Sequence, residues 1–229
     1  MGFFVVKGCA VYRSVRGVLL GVVLLSLTAC VSTAFHEPID VHYVYKAPSA
    51  RAARLLQLTA WHNSGAFSVK INNKVNAANF TWQQTGPQYF RINVSSALNL
   101  VGFILTGKPK VATLVRSSDD SIQAASPEGV MQKALGWHLP LSNLYYWVRN
   151  LPAPGPFEAH QYDPYGHLQS LSQQGWQIRW RGFVTTQGLD LPRLILLSRP
   201  GVDIRIVTKQ WQISSVTQPV GHQQTRASD

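Results

Sequence analysis

Acidic residues are scarce in this chain. It carries ten Asp and Glu against 21 Lys and Arg in 229 residues, a formal net charge of +11, and only 14% of its residues are charged. Glutamate occurs only at positions 37, 128 and 158, so a multi-carboxylate metal site or a glycosidase pair has little to draw on. Cysteine is nearly absent. Cys9 and Cys30 alone exclude a disulfide framework and a Cys-rich zinc site. The seven histidines form no i, i+4 pair on a helix, and there is no Gly-x-Ser-x-Gly elbow. Gly102 to Lys108 has the spacing of a phosphate loop. Pro109 stands where Ser or Thr is required, and Phe103-Ile104-Leu105 reads as strand. These absences argue against an enzyme and against any bound cofactor. An envelope hydrolase assembled from scattered acids stays as an alternative.

Aromatic residues are plentiful: seven Trp, eight Tyr and nine Phe, within 45% hydrophobic residues. Such a chain builds a core and is not disordered. The basic balance admits nucleic acid, anionic lipid or an acidic partner without choosing among them.

The N-terminus explains part of that charge. Residues 1–16 hold Lys7, Arg13 and Arg16 and no acid, and an apolar run follows from Gly17 to Leu25. A basic segment, a short apolar run and small residues before a cleavage point make a secretory signal. Leu27-Thr28-Ala29-Cys30 resembles the lipobox of bacterial lipoproteins. In that class the Cys thiol receives a diacylglyceryl group, the signal is cut before the Cys, and the new amine is acylated. An uncleaved membrane anchor is the alternative, but Ser26, Thr28, Ser32 and Thr33 dilute the uncharged stretch. Cleavage after residue 29 leaves 18 basic against 10 acidic residues, a net +8. Val31 follows the Cys where lipoproteins retained in the inner membrane commonly carry Asp. The resemblance therefore implies an outer-membrane, periplasm-facing, lipid-anchored protein. Residues 30–48, with Pro38 and Pro48, read as a tether.

The body, residues 49–213, reads as mainly β with a few helices. A short helix is expected from Ser49 to Leu58. Strict alternation in Ala78–Gln83 and Phe90–Ser95, with Gly86-Pro87 between, predicts a hairpin. Leu100–Leu105, Val111–Val115 and Ile122 onward continue a meander. Ser126-Pro127-Glu128 opens a helix with Val130, Met131, Ala134 and Leu135 as its stripe, and Pro140 opens another. A second meander follows through Ala159–Tyr162, His167–Leu171, Gly175–Phe183, Arg193–Leu197 and Asp203–Ile213. Leu100–Leu105 and Leu194–Leu197 are apolar on both faces, which fits either a dense core or a cavity wall. Arg179 and Arg181 alternate with Trp180 and Phe183. They read as the wet face of a strand rather than a nucleic-acid surface. Residues 214–229 read as a disordered tail.

In this order the segments resemble the LolB family of outer-membrane lipoproteins. The resemblance rests on Gly65–Val69, Ala77–Gln84, Gly136–Leu141 with Trp147 and Leu151-Pro152, Gln174–Ile178, Leu191-Pro192 and Trp211. It implies an incomplete, strongly curved antiparallel β-barrel with an apolar cavity and a helical lid. It further implies a monomeric receptor that takes lipoproteins from a soluble periplasmic carrier of the LolA type. Such a receptor holds their acyl chains and inserts them into the inner leaflet of the outer membrane. Cys30 is then the lipidated residue. Leu98 matches an apolar residue that the family projects from the loop after the third strand, although Ala97 and Asn99 replace the family's Pro and Gly. Phe80, Trp82, Ile92, Val94, Phe103, Met131, Leu135, Trp147 and Trp180 are candidates for the cavity wall or lid. A structural lipoprotein that binds an envelope protein along a sheet edge is the alternative of a different class.

Overall fold

A computed structural model describes residues 42–96, 102–136 and 139–216. Cys30 and Leu98 lie outside the described residues, as does the chain after 216. Among the described residues, eleven strands form one antiparallel sheet. They are β1 (Leu58–Ile71), β2 (Lys74–Thr85), β3 (Tyr89–Ser95), β4 (Gly102–Lys108), β5 (Val111–Ser117), β6 (Asp120–Ala124), β7 (Ala159–Tyr162), β8 (Leu168–Gln173), β9 (Trp176–Thr186), β10 (Leu189–Arg199) and β11 (Val202–Val216). The helices among the described residues are α1 (Pro48–Leu56), α2 (Pro127–Leu135) and α3 (Leu141–Trp147).

The spatial order is β6-β5-β4-β3-β2-β1-β11-β10-β9-β8-β7. Each half of the chain is a meander, and the halves join where β1 pairs with β11 from Leu58↔Val216 to Ile71↔Val202. β6 and β7 remain as edges, so the curled sheet is not closed into a barrel. The segment from Gly102 to Lys108 is strand β4. A side chain at Gly102 would meet the Val94 carbonyl, so its glycine serves close strand approach.

β1 is longer than Gly65–Val69 alone indicates. Trp61, Asn63, Gly65, Phe67, Val69 and Ile71 all point to the inner face, while His62, Ser64, Ser68 and Lys70 point outward. A register shift after Ser64 sets Gly65 against Thr208, and a Cβ there would run into the Val207 carbonyl. α2 begins as the sequence indicates. The Ser126 hydroxyl accepts from the Gly129 N–H at 3.1 Å, Pro127 starts the helix, and Gly136 ends it at φ 75°.

The chain before α1 does not run free up to residue 48. It is held on the body from Tyr43 onward. The Tyr43 hydroxyl donates to the Phe183 carbonyl at 3.0 Å and accepts from the Phe183 N–H at 2.9 Å. Lys46 bonds the Tyr165 carbonyl through its N–H and the Gly188 carbonyl through its Nζ. Arg51, buried, pairs with Asp190 and also donates to the carbonyls of Val44 and Tyr165. His167 lies between two carboxylates, with Nδ1 2.7 Å from Asp163 Oδ2 and Nε2 3.2 Å from Asp190 Oδ2, and stacks on Phe183 at 4.0 Å. The helix expected to reach Leu58 stops at Leu56, because Leu58 begins β1 with its side chain fully buried.

Burial alone would raise the Asp190 carboxyl. Hydrogen bonds with His167, Thr185 and Arg51 outweigh it and hold the group well below its ordinary range. A depressed carboxyl stabilises the fold above its unfolded value, about 3.9, and that contribution is lost as pH falls below it. Wild-type stability should therefore drop with acidification below about pH 4. Asp190→Asn should be less stable at neutral pH and show a shallower slope in that window. Denaturant midpoints at stepped pH measure both, and parallel profiles would contradict the assignment.

Candidate functional site

The inner face of the sheet is filled unevenly. On the β8–β10 side it is packed solid. Trp176, Ile178, Trp180, Leu171 and Ile195 are all buried. The chain from α3 to Ala153 is stapled across them by two side-chain amides. Asn150 bonds both backbone groups of Leu168, and Gln173 bonds both backbone groups of Ala153 and accepts from Trp147 Nε1. Trp180 Nε1 donates to the Trp147 carbonyl at 2.8 Å.

On the β1–β5 side a space of about 470 Å³ remains. Its walls are Phe67, Val69 and Ile71 of β1, Ala78, Phe80 and Trp82 of β2, Ile92 and Val94 of β3, and Phe103 and Leu105 of β4. Ile204 and Ile206 of β11 and Leu197 of β10 complete the curve. Met131, Leu139, Leu141, Leu144 and Val148 cover it from α2 and α3. Register places these side chains together: Phe67 faces Ala78 and Ile206, Phe80 faces Val94, and Val94 faces Phe103. Polar lining groups are few and include Asn76, Ser96 and Arg116. The size lies within the range of about 300–1,000 Å³ usual for ligand pockets.

Trp82 lines the cavity and belongs to a cluster of three indoles. Trp61 lies 5.0 Å from Trp82 and 5.2 Å from Trp211, centroid to centroid. Trp82 Nε1 donates to Gln84 at 2.8 Å and Trp211 Nε1 to the Pro192 carbonyl at 3.2 Å, so these large side chains are fixed as well as buried. The lining otherwise favours the end of the sheet where the 72–73, 117–119 and 200–201 turns lie.

The covering helices are held by polar contacts at their margins. Arg116 bonds Asp120 at 3.2 Å and the Ala134 carbonyl of α2 at 3.1 Å. The Glu128 carboxylate of α2 accepts from the Ser142 N–H of α3 at 2.7 Å. Asn143 donates to Gln174 at 2.6 Å.

Of the residues proposed from sequence, Phe80, Trp82, Ile92, Val94, Phe103 and Met131 line the space. Trp147 and Trp180 do not. Their indoles are committed to the packed side by the bonds just described. Leu135 closes α2, and its side chain is outside the described residues. Of the strand apolar on both faces, Leu197 lines the cavity and Ile195 lies in the filled core.

Arg149 fixes α3 over this site. Its buried guanidinium donates to the carbonyls of Leu55 and Leu58, where α1 ends and β1 begins, and its Nε to Tyr145. It also lies 3.9 Å over the Tyr145 ring. Burial lowers the Arg149 guanidinium from its ordinary value and raises the Tyr145 hydroxyl. No motif marks this arginine in the sequence, since two of its three carbonyl partners lie 91 and 94 residues away.

Comparison with known proteins supplies an independent result. A family model described as outer membrane lipoprotein LolB matches residues 59–211. The outer-membrane lipoprotein LolB of Coxiella burnetii (strain RSA 493 / Nine Mile phase I) is 38% identical over 188 residues, 82% of this chain and 89% of its own. That of Chromohalobacter salexigens is 35% identical over 209 residues, 91% and 96% of the two chains. Among solved structures, a LolA superfamily protein from Nitrosomonas europaea superposes with a TM-score of 0.48 at 7% identity, covering 75% of this chain and 96% of its own.

Arg149→Met should leave three buried carbonyls short of a donor and cost about 2–4 kcal/mol of stability. Thermal or denaturant unfolding followed by tryptophan fluorescence measures it. A loss below about 1 kcal/mol would remove Arg149 from this role.

Proposed function

The chain belongs to the LolB family of outer-membrane lipoproteins, and from that premise we propose that it is the outer-membrane receptor of lipoprotein localisation. In this reading it takes lipoproteins from a carrier in the periplasm, shelters their acyl chains in the apolar cavity, and releases the chains to the membrane. The observation that carries the reading is the cavity itself, about 470 Å³ of space walled by Phe, Trp, Ile, Val and Leu beneath two short helices.

Acyl chains in water cost about 0.8 kcal/mol per methylene, so a protein that handles them must hide them. A cavity with few polar lining groups recognises chain rather than headgroup. Transfer needs no energy source if each successive site binds the chain better than the one before. Met131 suits a wall that must fit different chains, being unbranched and adaptable. Cys30 carries the lipid that holds the receptor in the membrane, and Leu98 projects into the bilayer during release.

Two measurements test this. Ala78→Trp places an indole in the cavity without changing the strand, and it should weaken binding of a fluorescent fatty-acid probe about tenfold, near 1.4 kcal/mol. Unchanged probe affinity would place the acyl site elsewhere. Leu98→Glu should keep probe binding and lose delivery of lipoproteins from carrier to membrane. Full delivery by that variant would rule out the loop.

A further inference from the structure

The described chain begins at His42, twelve residues after Cys30, and is pinned at once by Tyr43, Lys46 and Arg51. Around this entry point the surface is unusually apolar. Val44 is 71% exposed, Tyr45 63%, Tyr162 47% and Tyr165 42%. At one corner, Val44 and Tyr45 adjoin the turn that holds Tyr165, and Tyr162 ends β7 at the start of that turn. The Arg51 guanidinium bonds the carbonyls of both Val44 and Tyr165, Lys46 bonds Tyr165, and the Tyr43 and Tyr165 rings lie 5.4 Å apart. Residues 42–62 contain no Asp or Glu, while Lys46 and Arg54 face solvent. Asp163, in the adjoining turn, is occupied by His167.

We propose that this corner, built on Val44, Tyr45, Tyr162 and Tyr165, is a contact surface for the bilayer interface. The body rests there with its cavity turned away from the membrane. The proposal builds on the reading of Cys30 as the lipidated residue. Tyrosine suits the headgroup level because its ring is apolar and its hydroxyl stays wet. The neighbouring cations suit anionic headgroups.

Chain reach decides which end of the body meets the membrane. Twelve residues span at most about 43 Å. The corner lies with Gly188 and Asp190 at the β9–β10 turn, whereas the cavity lining favours the far end of the sheet, along strands as long as β1. Along their path the fourteen residues of β1 extend at most about 46 Å. The corner therefore lies well within reach of the bilayer, while the far end, a strand's length away, meets it when the body tips. A resting body offers its cavity to the periplasm, and tipping turns it toward the membrane.

The test uses the full chain, matured in cells and reconstituted into phosphatidylethanolamine–phosphatidylglycerol vesicles. An environment-sensitive fluorophore is placed at Ala47→Cys or, as control, at Asp119→Cys at the far end. The label at 47 should shift to the blue and be quenched by lipids spin-labelled near the headgroup, while that at 119 stays water-like. Adding Tyr45→Ser and Tyr165→Ser should abolish the quenching at 47 while the protein still floats with the vesicles. Flotation with a water-like label at 47, or quenching unchanged in the double variant, overturns the corner and leaves the anchor standing. Absence of flotation overturns the anchor and the proposal with it. A label that shifts only when a periplasmic fraction is added assigns the corner to a protein and likewise overturns the proposal.

Discussion

The pairing of the first strand with the last is the constraint on which the molecule depends. β1 and β11 run side by side from Leu58↔Val216 to Ile71↔Val202, and every other strand joins the sheet outward from that seam. Without it there are two separate meanders, each with an inner face too apolar to stand alone. With it, Phe67 faces Ile206 on one side and Ala78 on the other, and two half-walls become one curved surface. The seam also demands Gly65. Only a residue without a side chain allows β11 to pass so close at the register shift, where the Phe80 ring lies over the gap.

Because both partners of the seam come from opposite ends of the chain, the two halves are filled by different means. The later meander follows α3 directly, and the short link lets Asn150 and Gln173 stitch that segment onto β8. Indoles then occupy the space beneath. The earlier meander is covered only by what α2 and α3 reach across to it, and its inward residues are mainly Phe, Val, Ile and Ala. Uneven side-chain volume over one continuous surface leaves a space on one side, and the cavity needs no special loop to create it.

Strand positions were largely legible in the chain. The alternation in Phe90–Ser95, the Pro-rich turns and the Ser126-Pro127 helix start are local signals, and the structure follows them. Phe80, Trp82, Ile92 and Val94 could be assigned to one face by period two alone. Trp147 and Trp180 are expected at the cavity from sequence and fill the core instead, because whether a buried indole lines a space or fills one depends on partners such as Gln173, whose role no local pattern reveals. Arg149 was invisible for a related reason: its ligands are backbone carbonyls, which every residue possesses. The docked run from Tyr43 to Lys46 carries no local signal either. Its bonds go to Phe183, Tyr165 and Gly188, more than a hundred residues away, and a polar, proline-flanked stretch looks like a tether whether or not it is held.

The scarcity of acids takes on a different meaning in three dimensions. Asp190, Asp163, Asp120 and Glu128 all bond other groups of the domain, the first two with Arg51 and His167, and at the surface the third with Arg116 and the last across the helix pair. They act as struts for the docked run from Tyr43 to Arg51 and for the covering helices, two carboxylates at the first and one at each contact of the helices. The outward cations are treated differently. Arg179 and Arg205 flank Leu196 in register on the outer face, exposed, and neither makes an ion pair among the described residues. Few acids are available to neutralise that surface, so the net positive charge faces outward. Under the proposed receptor role, such a field speeds encounter with partners and anionic headgroups at little cost in stability, because the charges lie apart and are screened over about 8–10 Å. Spending carboxylates on joints and leaving arginines in solvent is one distribution of charge that serves the fold and the approach of partners together.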